Sequence, residues 1–154
     1  MSSPDFKITQ LSSNDLNFLK ELILLFIDVF EEKQIAIPSN DYLEELLKKK
    51  NFVVFIATIN DQVIGGLTAY ELTKYYSENP ELFIYDIAIK QEYQRRGVGK
   101  MLLESTKKYC LEKGITEIFV AANKEDKHAI DFYNSTGGVA EQAVHFNYSI
   151  NKNK

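Results

Sequence analysis

The spacing of apolar and polar residues changes along this chain, and each change marks an element. From Phe6 to Leu11 apolar and polar residues alternate (Phe6, Ile8, then Leu11 after a slip), which predicts a first strand. Ser12 or Ser13 then stands where the cap of a following helix belongs. That helix is predicted over Asp15 to Phe30. Eleven of the residues from Leu16 to Phe30 are apolar, more than a single buried face requires. It is expected to be buried widely, to line a pocket or to face a second copy of the chain. Pro38 breaks the pattern. Ser39 caps a shorter helix, Asp41 to Lys50, and the closing Lys48, Lys49 and Lys50 suit the negative end of the helix dipole without needing a partner.

The middle of the chain changes to strand character. Phe52 to Ile59 is rich in aromatic and β-branched residues. Asn60-Asp61-Gln62 makes a short turn, and Val63 to Tyr75 returns as the second arm of a hairpin. Gly65 and Gly66 inside that arm imply a bulge or the close approach of another group. A turn at Ser77 to Glu81, containing Asn79-Pro80, leads to a strand at Leu82 to Ile89. Helical spacing resumes at Val98, Met101, Leu102, Ser105 and Tyr109, predicting a helix from Val98 to Lys113 that Gly114 terminates. Ile115 to Ala122 reads as a strand, Asp126 to Ser135 as a helix ended by Gly137-Gly138, and Ala143 to Ile150 as a last strand. The order β-α-α-β-β-β-α-β-α-β predicts one domain over residues 1–154, a mixed sheet with helices on its faces.

Composition narrows the setting. Apolar residues make up 45% and charged residues 26% of the chain, an ordinary globular balance. Cys110 is the only cysteine, so no internal disulfide forms, and with only His128 and His145 beside it no metal site is expected. This suits a reducing cytosol. No signal peptide and no membrane span is read from the sequence, since the apolar run Leu22 to Ile27 is far too short. The net charge of −4 argues against general nucleic-acid binding. The charge is uneven: residues 1–92 hold 15 acids and 8 bases, and residues 93–154 hold 7 acids and 10 bases. Two ligands of opposite sign would fit this division; so would ordinary scatter over a solvated surface.

Chemistry is concentrated between Tyr85 and Leu102, "YDIAIKQEYQRRGVGKML". A strand leads through Lys90 to Arg96 into a helix that starts near Val98, with Gly97 and Gly99 at the turn. Glycines let main-chain N–H groups approach a ligand closely. The helix N-terminus adds unpaired donors and partial positive charge, and Arg95, Arg96 and Lys100 add full charges. The combination favours a phosphate or pyrophosphate. The P-loop pattern fails, because Gln94 holds its first glycine position and Met101 follows Gly99-Lys100. The dinucleotide fingerprint fails at Leu102. A Gly-x-Gly turn alone is also compatible with a purely structural turn.

The full string Gln94-Arg95-Arg96-Gly97-Val98-Gly99 resembles the Gln/Arg-x-x-Gly-x-Gly/Ala signature of the GCN5-related N-acetyltransferases, the GNAT family. "AIDFYNSTG", Ala129 to Gly137, resembles that family's second signature, and the element order matches from about Phe6 to Ile150. The resemblance implies an α/β (α+β) fold with a mixed, mostly antiparallel central sheet that splays between its fourth and fifth strands, and helices on both faces. It implies acetyl-CoA as the acetyl donor and no metal. Residues matching Gln94, Arg95, Arg96, Gly97, Val98, Gly99 and Lys100 would hold the pyrophosphate. Ile87, Ala88 and Ile89 would pair with the pantetheine arm through their main chain, and Asn123 and Tyr133 would lie near the thioester.

The reaction asks little of the protein. An amine attacks a thioester only when neutral, and a carboxylate can remove its proton. Asp86 is the candidate base. A charge inside an apolar strand is costly unless used or paired, although a solvated strand edge would also accommodate it. Tyr133 is the candidate acid for the leaving thiolate. Cys110 is expected to be buried and inert, and His128 to lie on the surface.

"DYL" at Asp41 to Leu43, "IYDIAI" at Ile84 to Ile89 and "HFNYSI" at His145 to Ile150 resemble the GNAT-type aminoglycoside 3-N-acetyltransferases. This implies a polycationic acceptor acetylated at the 3-amino group of its deoxystreptamine ring, an antibiotic-resistance activity. Glu31, Glu32, Asp41, Tyr85, Asp86 and His145 are then the candidate acceptor residues, and a homodimer is expected. A polyamine or other small amine as acceptor, and a non-catalytic acetyl-CoA-binding module, are the alternatives.

Overall fold

A hairpin fixed by its turn forms the centre of the sheet. The computed structural model describes residues 5–32 and 36–151. In it β1 (Lys7–Gln10) precedes two helices, α1 (Leu16–Val29) and α2 (Asn40–Lys48); then β2 (Phe52–Ile59) and β3 (Gln62–Leu72) form the hairpin. Its turn residues Asn60 and Asp61 have φ of 49° and 63°. A two-residue type I′ turn needs both values positive, and Asn and Asp tolerate this best after glycine. β1 lies antiparallel on the outer side of β2. β4 (Glu81–Ile89) lies antiparallel on β3, and β5 (Ile118–Val120) lies parallel on β4, so the sheet order is β1-β2-β3-β4-β5. Only the last pairing is parallel, as expected for a mixed, mostly antiparallel sheet.

Strand alternation assigns the helices to opposite faces. A Cβ on Gly66 would lie 2.3 Å from Leu22 Cδ1, so Gly66 and its partner Ile56 face α1. Phe55, next along β2, must face the other way. There its ring meets Tyr109 of α3 (Val98–Lys113) edge-on at 6.1 Å. On the α1 face, Leu19, Leu22, Leu25 and Leu43 close over Val54, Ile56, Val63 and Ala88. Burying each such side chain contributes roughly 1.5–3 kcal/mol. Leu16, Phe18, Ile23, Phe26 and Val29 pack around the same cluster. This accounts for most of the surplus apolar surface read in α1, and leaves Leu24 and Phe30 exposed.

Several element ends differ from the sequence expectation. Neither Ser12 nor Ser13 caps α1. Asp15 occupies the cap position, and its carboxylate instead accepts hydrogen bonds from the Ser12 N–H at 2.7 Å and Oγ at 3.0 Å. Ser39 does cap α2, its hydroxyl accepting from Tyr42 N–H at 3.2 Å. That helix stops at Lys48, which pairs with Glu45 at 3.2 Å, so Lys49 and Lys50 lie beyond it. β3 ends at Leu72 rather than Tyr75, because its partner β4 begins opposite, at Glu81. The Gly65-Gly66 region holds both of the features expected there. Ile64 is an extra residue between the pairs Ala57–Gly65 and Thr58–Val63, and Leu22 approaches Gly66 closely.

The chain divides into two compact units, the second beginning at Ala122. In it α4 (Lys127–Ser135) is capped by Asp126, whose Oδ1 accepts from Ala129 N–H at 3.1 Å. Gly137, with φ of 97°, turns the chain out of the helix, and Gly138 N–H returns to the Tyr133 carbonyl at 2.8 Å. The strand expected at Ala143 to Ile150 does not form: this stretch is irregular, with Val144, Phe146, Tyr148 and Ile150 exposed. Its apolar alternation defines a face, but a strand exists only through a ladder, and no described strand pairs with it.

Among the described residues no helix is long and apolar enough to cross a membrane. Gly66→Ala should destabilise the fold by about 1–3 kcal/mol, because Leu22 is fully buried and cannot yield without leaving its rotamer. Denaturant unfolding of the purified variant measures this.

Candidate active site

One extra residue in β4 sets the geometry of this region. Across the β3–β4 ladder, Thr68 pairs with Asp86 and Ala69 pairs with Ile84, leaving Tyr85 without a partner. This is a β-bulge, which bends a strand and sharpens its local twist. The β4–β5 ladder comprises Leu82–Ile118, Phe83–Phe119 and Ile84–Val120, and it ends immediately before the bulge. From Tyr85 to Ile89 the edge of β4 away from β3 is therefore not paired by β5. This is the splay between fourth and fifth strands. An extended ligand could add there as a strand does, through main-chain hydrogen bonds.

The bulge also determines where side chains point. Thr68 and Tyr70 alternate with Gly66 along β3 and share the α1 face. Asp86, opposite Thr68, and Phe83, opposite Tyr70, lie on that face too. Tyr85 joins them, its ring 5.9 Å from Tyr70 and 5.8 Å from Phe83. Asp86 is half-buried, and desolvation raises its pKa above the ordinary carboxylate range. Burial also raises the Tyr70 pKa, helped by Tyr85, Tyr42 and Asp86 in turn, which places these four groups in one electrostatic neighbourhood.

The loop after β4 is held by the protein itself. Lys90 N–H donates to the Ile64 carbonyl at 2.8 Å, and Gln91 to Tyr93 form one turn of 3-10 helix. The Gln94 side-chain amide donates to the Ile89 carbonyl at 3.0 Å, folding the loop onto the end of β4. Gln94 thus acts as a tie within the protein, a role that its place in the motif did not reveal. Arg95 and Gly97 both have left-handed backbones, with φ of 62° and 82°. Alternation of this kind turns successive N–H groups toward one concavity, an arrangement that binds anions. Gly97 precedes the first residue of α3, and no atom lies within 4 Å of where its Cβ would be. Among the described residues neither Arg95 nor Lys100 forms an ion pair. Arg96 lies over the Tyr93 ring at 5.6 Å, and Tyr93 meets Phe6 edge-on at 6.2 Å. Left-handed turns, an unpaired helix start and cations together suit a pyrophosphate.

The other residues singled out from sequence are more scattered. Glu31 and Glu32 follow the end of α1, with Glu31 in a left-handed conformation (φ 57°). Asp41 lies in the first turn of α2, where a carboxylate complements the helix dipole in any case. In the second unit, the Asn123 carbonyl accepts from Asp126 N–H at 2.9 Å, and Tyr133 is half-buried on α4. His128 is exposed on α4, and His145 is exposed in the irregular segment. Cys110 is buried, and desolvation pushes its thiol up to about 11, so it is not a nucleophile at neutral pH. Sequence reading missed Tyr70 and Phe119, which stand near Tyr85 and Phe83, and Tyr42, which neighbours Tyr70. Their alternate placing along strands was visible, but which strand faces would meet was not.

The chain belongs to the acetyltransferase (GNAT) family, whose model matches residues 19–137. Enzymes of this family draw the acetyl group from acetyl-CoA. Crystal structures of meta-AAC0020, an aminoglycoside acetyltransferase from an uncultured soil metagenomic sample, are similar over 95% of this chain and 97% of that one. The complex with trehalose is 46% identical and that with sisomicin 45%, each with a TM-score of 0.93. A second soil-metagenome aminoglycoside acetyltransferase, HMB0005, is 32% identical with a TM-score of 0.92, over 96% of this chain and 99% of its own. Thialysine N-epsilon-acetyltransferase of Bos taurus is 28% identical over 76 residues, which is 49% of this chain and 44% of that protein.

The raised Asp86 pKa has a consequence for stability. The folded protein keeps this proton at pH values where the unfolded chain has released it, so Asp86 costs increasing stability as pH rises from the ordinary carboxylate value through the raised one. Asparagine has no such proton. Asp86→Asn should melt higher than the wild type at pH 7, and the difference should shrink at pH 3; thermal melts at the two pH values measure it.

Proposed function

We propose that this protein transfers the acetyl group of acetyl-CoA directly to an amino group of an aminoglycoside, and that the group is the 3-amino of the deoxystreptamine ring. The observation that carries the acceptor class is the likeness to meta-AAC0020 over nearly the whole of both chains, one of whose structures holds sisomicin. The choice of the 3-amino group rests on the "DYL", "IYDIAI" and "HFNYSI" strings.

The site residues have the following roles in this reading. The left-handed turn at Arg95 to Gly97, the start of α3 and the cations of Arg95 and Lys100 hold the pyrophosphate. The edge of Ile87 to Ile89 that β5 leaves unpaired aligns the extended arm. Acetyl-CoA supplies an activated thioester, which a neutral amine can attack. Asp86 takes the proton from the incoming ammonium; its raised pKa brings it nearer the working pH, where a general base is most effective. Tyr133 on α4 gives a proton to the departing thiolate, a role that rests on its place in the second motif. Glu31, Glu32 and Asp41 supply negative charge for a polycation.

A linear ε-amine is the second acceptor reading, favoured by the partial likeness to the thialysine enzyme. Incubation with acetyl-CoA and a panel of gentamicin, spermidine and thialysine, followed by mass spectrometry and fragmentation, separates the two. Acetyl-gentamicin modified at the 3-amino group is expected. Product from thialysine or spermidine alone would reject the aminoglycoside reading, and unmodified amines throughout would favour a non-catalytic binder. Gly97→Glu should abolish acetyl-CoA binding by calorimetry. It places a carboxylate where the phosphates approach, and adds about 1–2 kcal/mol of left-handed backbone strain to the folded state. Near-normal affinity in a folded variant would remove this loop from the site.

A further inference from the structure

Beside Asp86 the α1 face of the sheet carries an aromatic strip that the reaction itself does not require. Phe52 on β2 packs on Tyr70 of β3 at 5.2 Å, Tyr70 on Tyr85 of β4 at 5.9 Å, Tyr85 on Phe83 at 5.8 Å, and Phe83 on Phe119 of β5 at 4.8 Å. The Phe83 and Phe119 rings are nearly parallel, 16° apart. Four adjacent strands at about 4.8 Å spacing make the strip about 14 Å long. Cross-strand aromatic pairs can stabilise a sheet without any other role. Here, however, the strip is only partly covered: Phe52, Tyr70 and Phe83 are half-buried, while other rings along it are open. Tyr85 is 62% exposed, Phe119 is 40% exposed, and Tyr42 of α2, a neighbour of Tyr70, is 61% exposed. Three exposed rings joined through the half-buried Tyr70 and Phe83 make an aromatic patch of the kind that ligands use.

The chemistry of this strip selects its occupant. Aromatic faces are electronegative and flat, so they attract cations and the electropositive C–H faces of saturated rings. The half-buried carboxylate of Asp86 adjoins the strip on the bulge, and Asp41 neighbours Tyr42 on α2. Among the described residues no cation lies over any of these six rings. The surface thus matches a ligand that is cationic, ring-shaped and longer than one ring. We infer that Tyr42, Tyr70, Tyr85 and Phe119 form a shelf on which the rings of a multi-ring amine lie while one amino group reaches Asp86, and that this shelf favours aminoglycosides over single-ring and linear amines. The inference rests on the aminoglycoside reading above and adds the residues that measure the length of the acceptor.

The test compares two acceptors that share the reacting ring, gentamicin with three rings and 2-deoxystreptamine with one. Phe119→Leu and Tyr85→Leu keep apolar bulk and remove the flat face; Tyr85→Phe keeps the face and removes the hydroxyl. In each leucine variant the ratio of kcat/KM for gentamicin to that for 2-deoxystreptamine should fall about tenfold, the size of one lost ring contact, mainly through KM for gentamicin. Tyr85→Phe should hold the ratio near the wild-type value. An unchanged ratio in a folded Tyr85→Leu, whose exposed position tolerates substitution, overturns the shelf while leaving the aminoglycoside activity intact. A wild type that acetylates spermidine and neither ring amine overturns the acceptor reading, and the shelf with it.

Discussion

Tyr85 is one residue more than the β3–β4 ladder can pair, and much of the candidate site follows from that misfit. Without the bulge, β4 would continue flat beside β5 and its outer edge would be spent on sheet hydrogen bonds. With it, β5 is released after Ile84, and the main chain from Tyr85 to Ile89 is available on that side. The same extra residue brings Tyr85 and Asp86 onto one face, although neighbours in a regular strand point to opposite faces. A lost ladder bond or two is a small cost beside the core that surrounds it. Leu19, Leu22, Leu25 and Leu43 close over the neighbouring strands, and the well-paired β2–β3 hairpin supports β4 from the other side.

Two environments of opposite electrostatic character adjoin this strand. On the α1 face, partial burial makes negative charge expensive for Asp86, and so makes it a better proton acceptor near neutrality. At the far end of β4, left-handed turns, a helix start and the cations of Arg95, Arg96 and Lys100 make negative charge welcome. The acidic first part of the sequence and its basic second part correspond broadly to this division. Ligands of opposite charge can therefore approach one strand without competing for the same charges.

Local signals in the sequence were dependable, and signals that depended on distant partners were less so. α3 runs from Val98 to Lys113 as its spacing predicts, and Gly114 closes it with φ of 72°, because helix periodicity and glycine caps are properties of adjacent residues. β2 has its expected limits for a similar reason, with a strong two-residue turn at one end. The strand expected over Ile115 to Ala122 shortens to three residues: it starts only at Ile118, opposite the beginning of β4, and ends at Val120 where β4 bulges, a fact written in β4 and not in β5. Likewise, Ser12 looked like a cap until Asp15 reached back to it. The anion-binding loop was legible through its glycines and arginines. The aromatic strip was not, since it is assembled from four strands separated by turns and helices. Gln94 was legible as part of a motif but not as a tie.

That tie has a thermodynamic meaning. Because Gln94 fastens the loop to the Ile89 carbonyl, and Lys90 to Ile64, the loop's shape is decided when the chain folds. The entropy of ordering it is lost at that step, in the company of the whole sheet, and need not be lost again when a ligand arrives. Natural variation at Arg95, Arg96 or Lys100 can then tune how strongly charge is attracted while leaving the curve of the backbone unchanged. Variation at Gln94 would alter the curve itself.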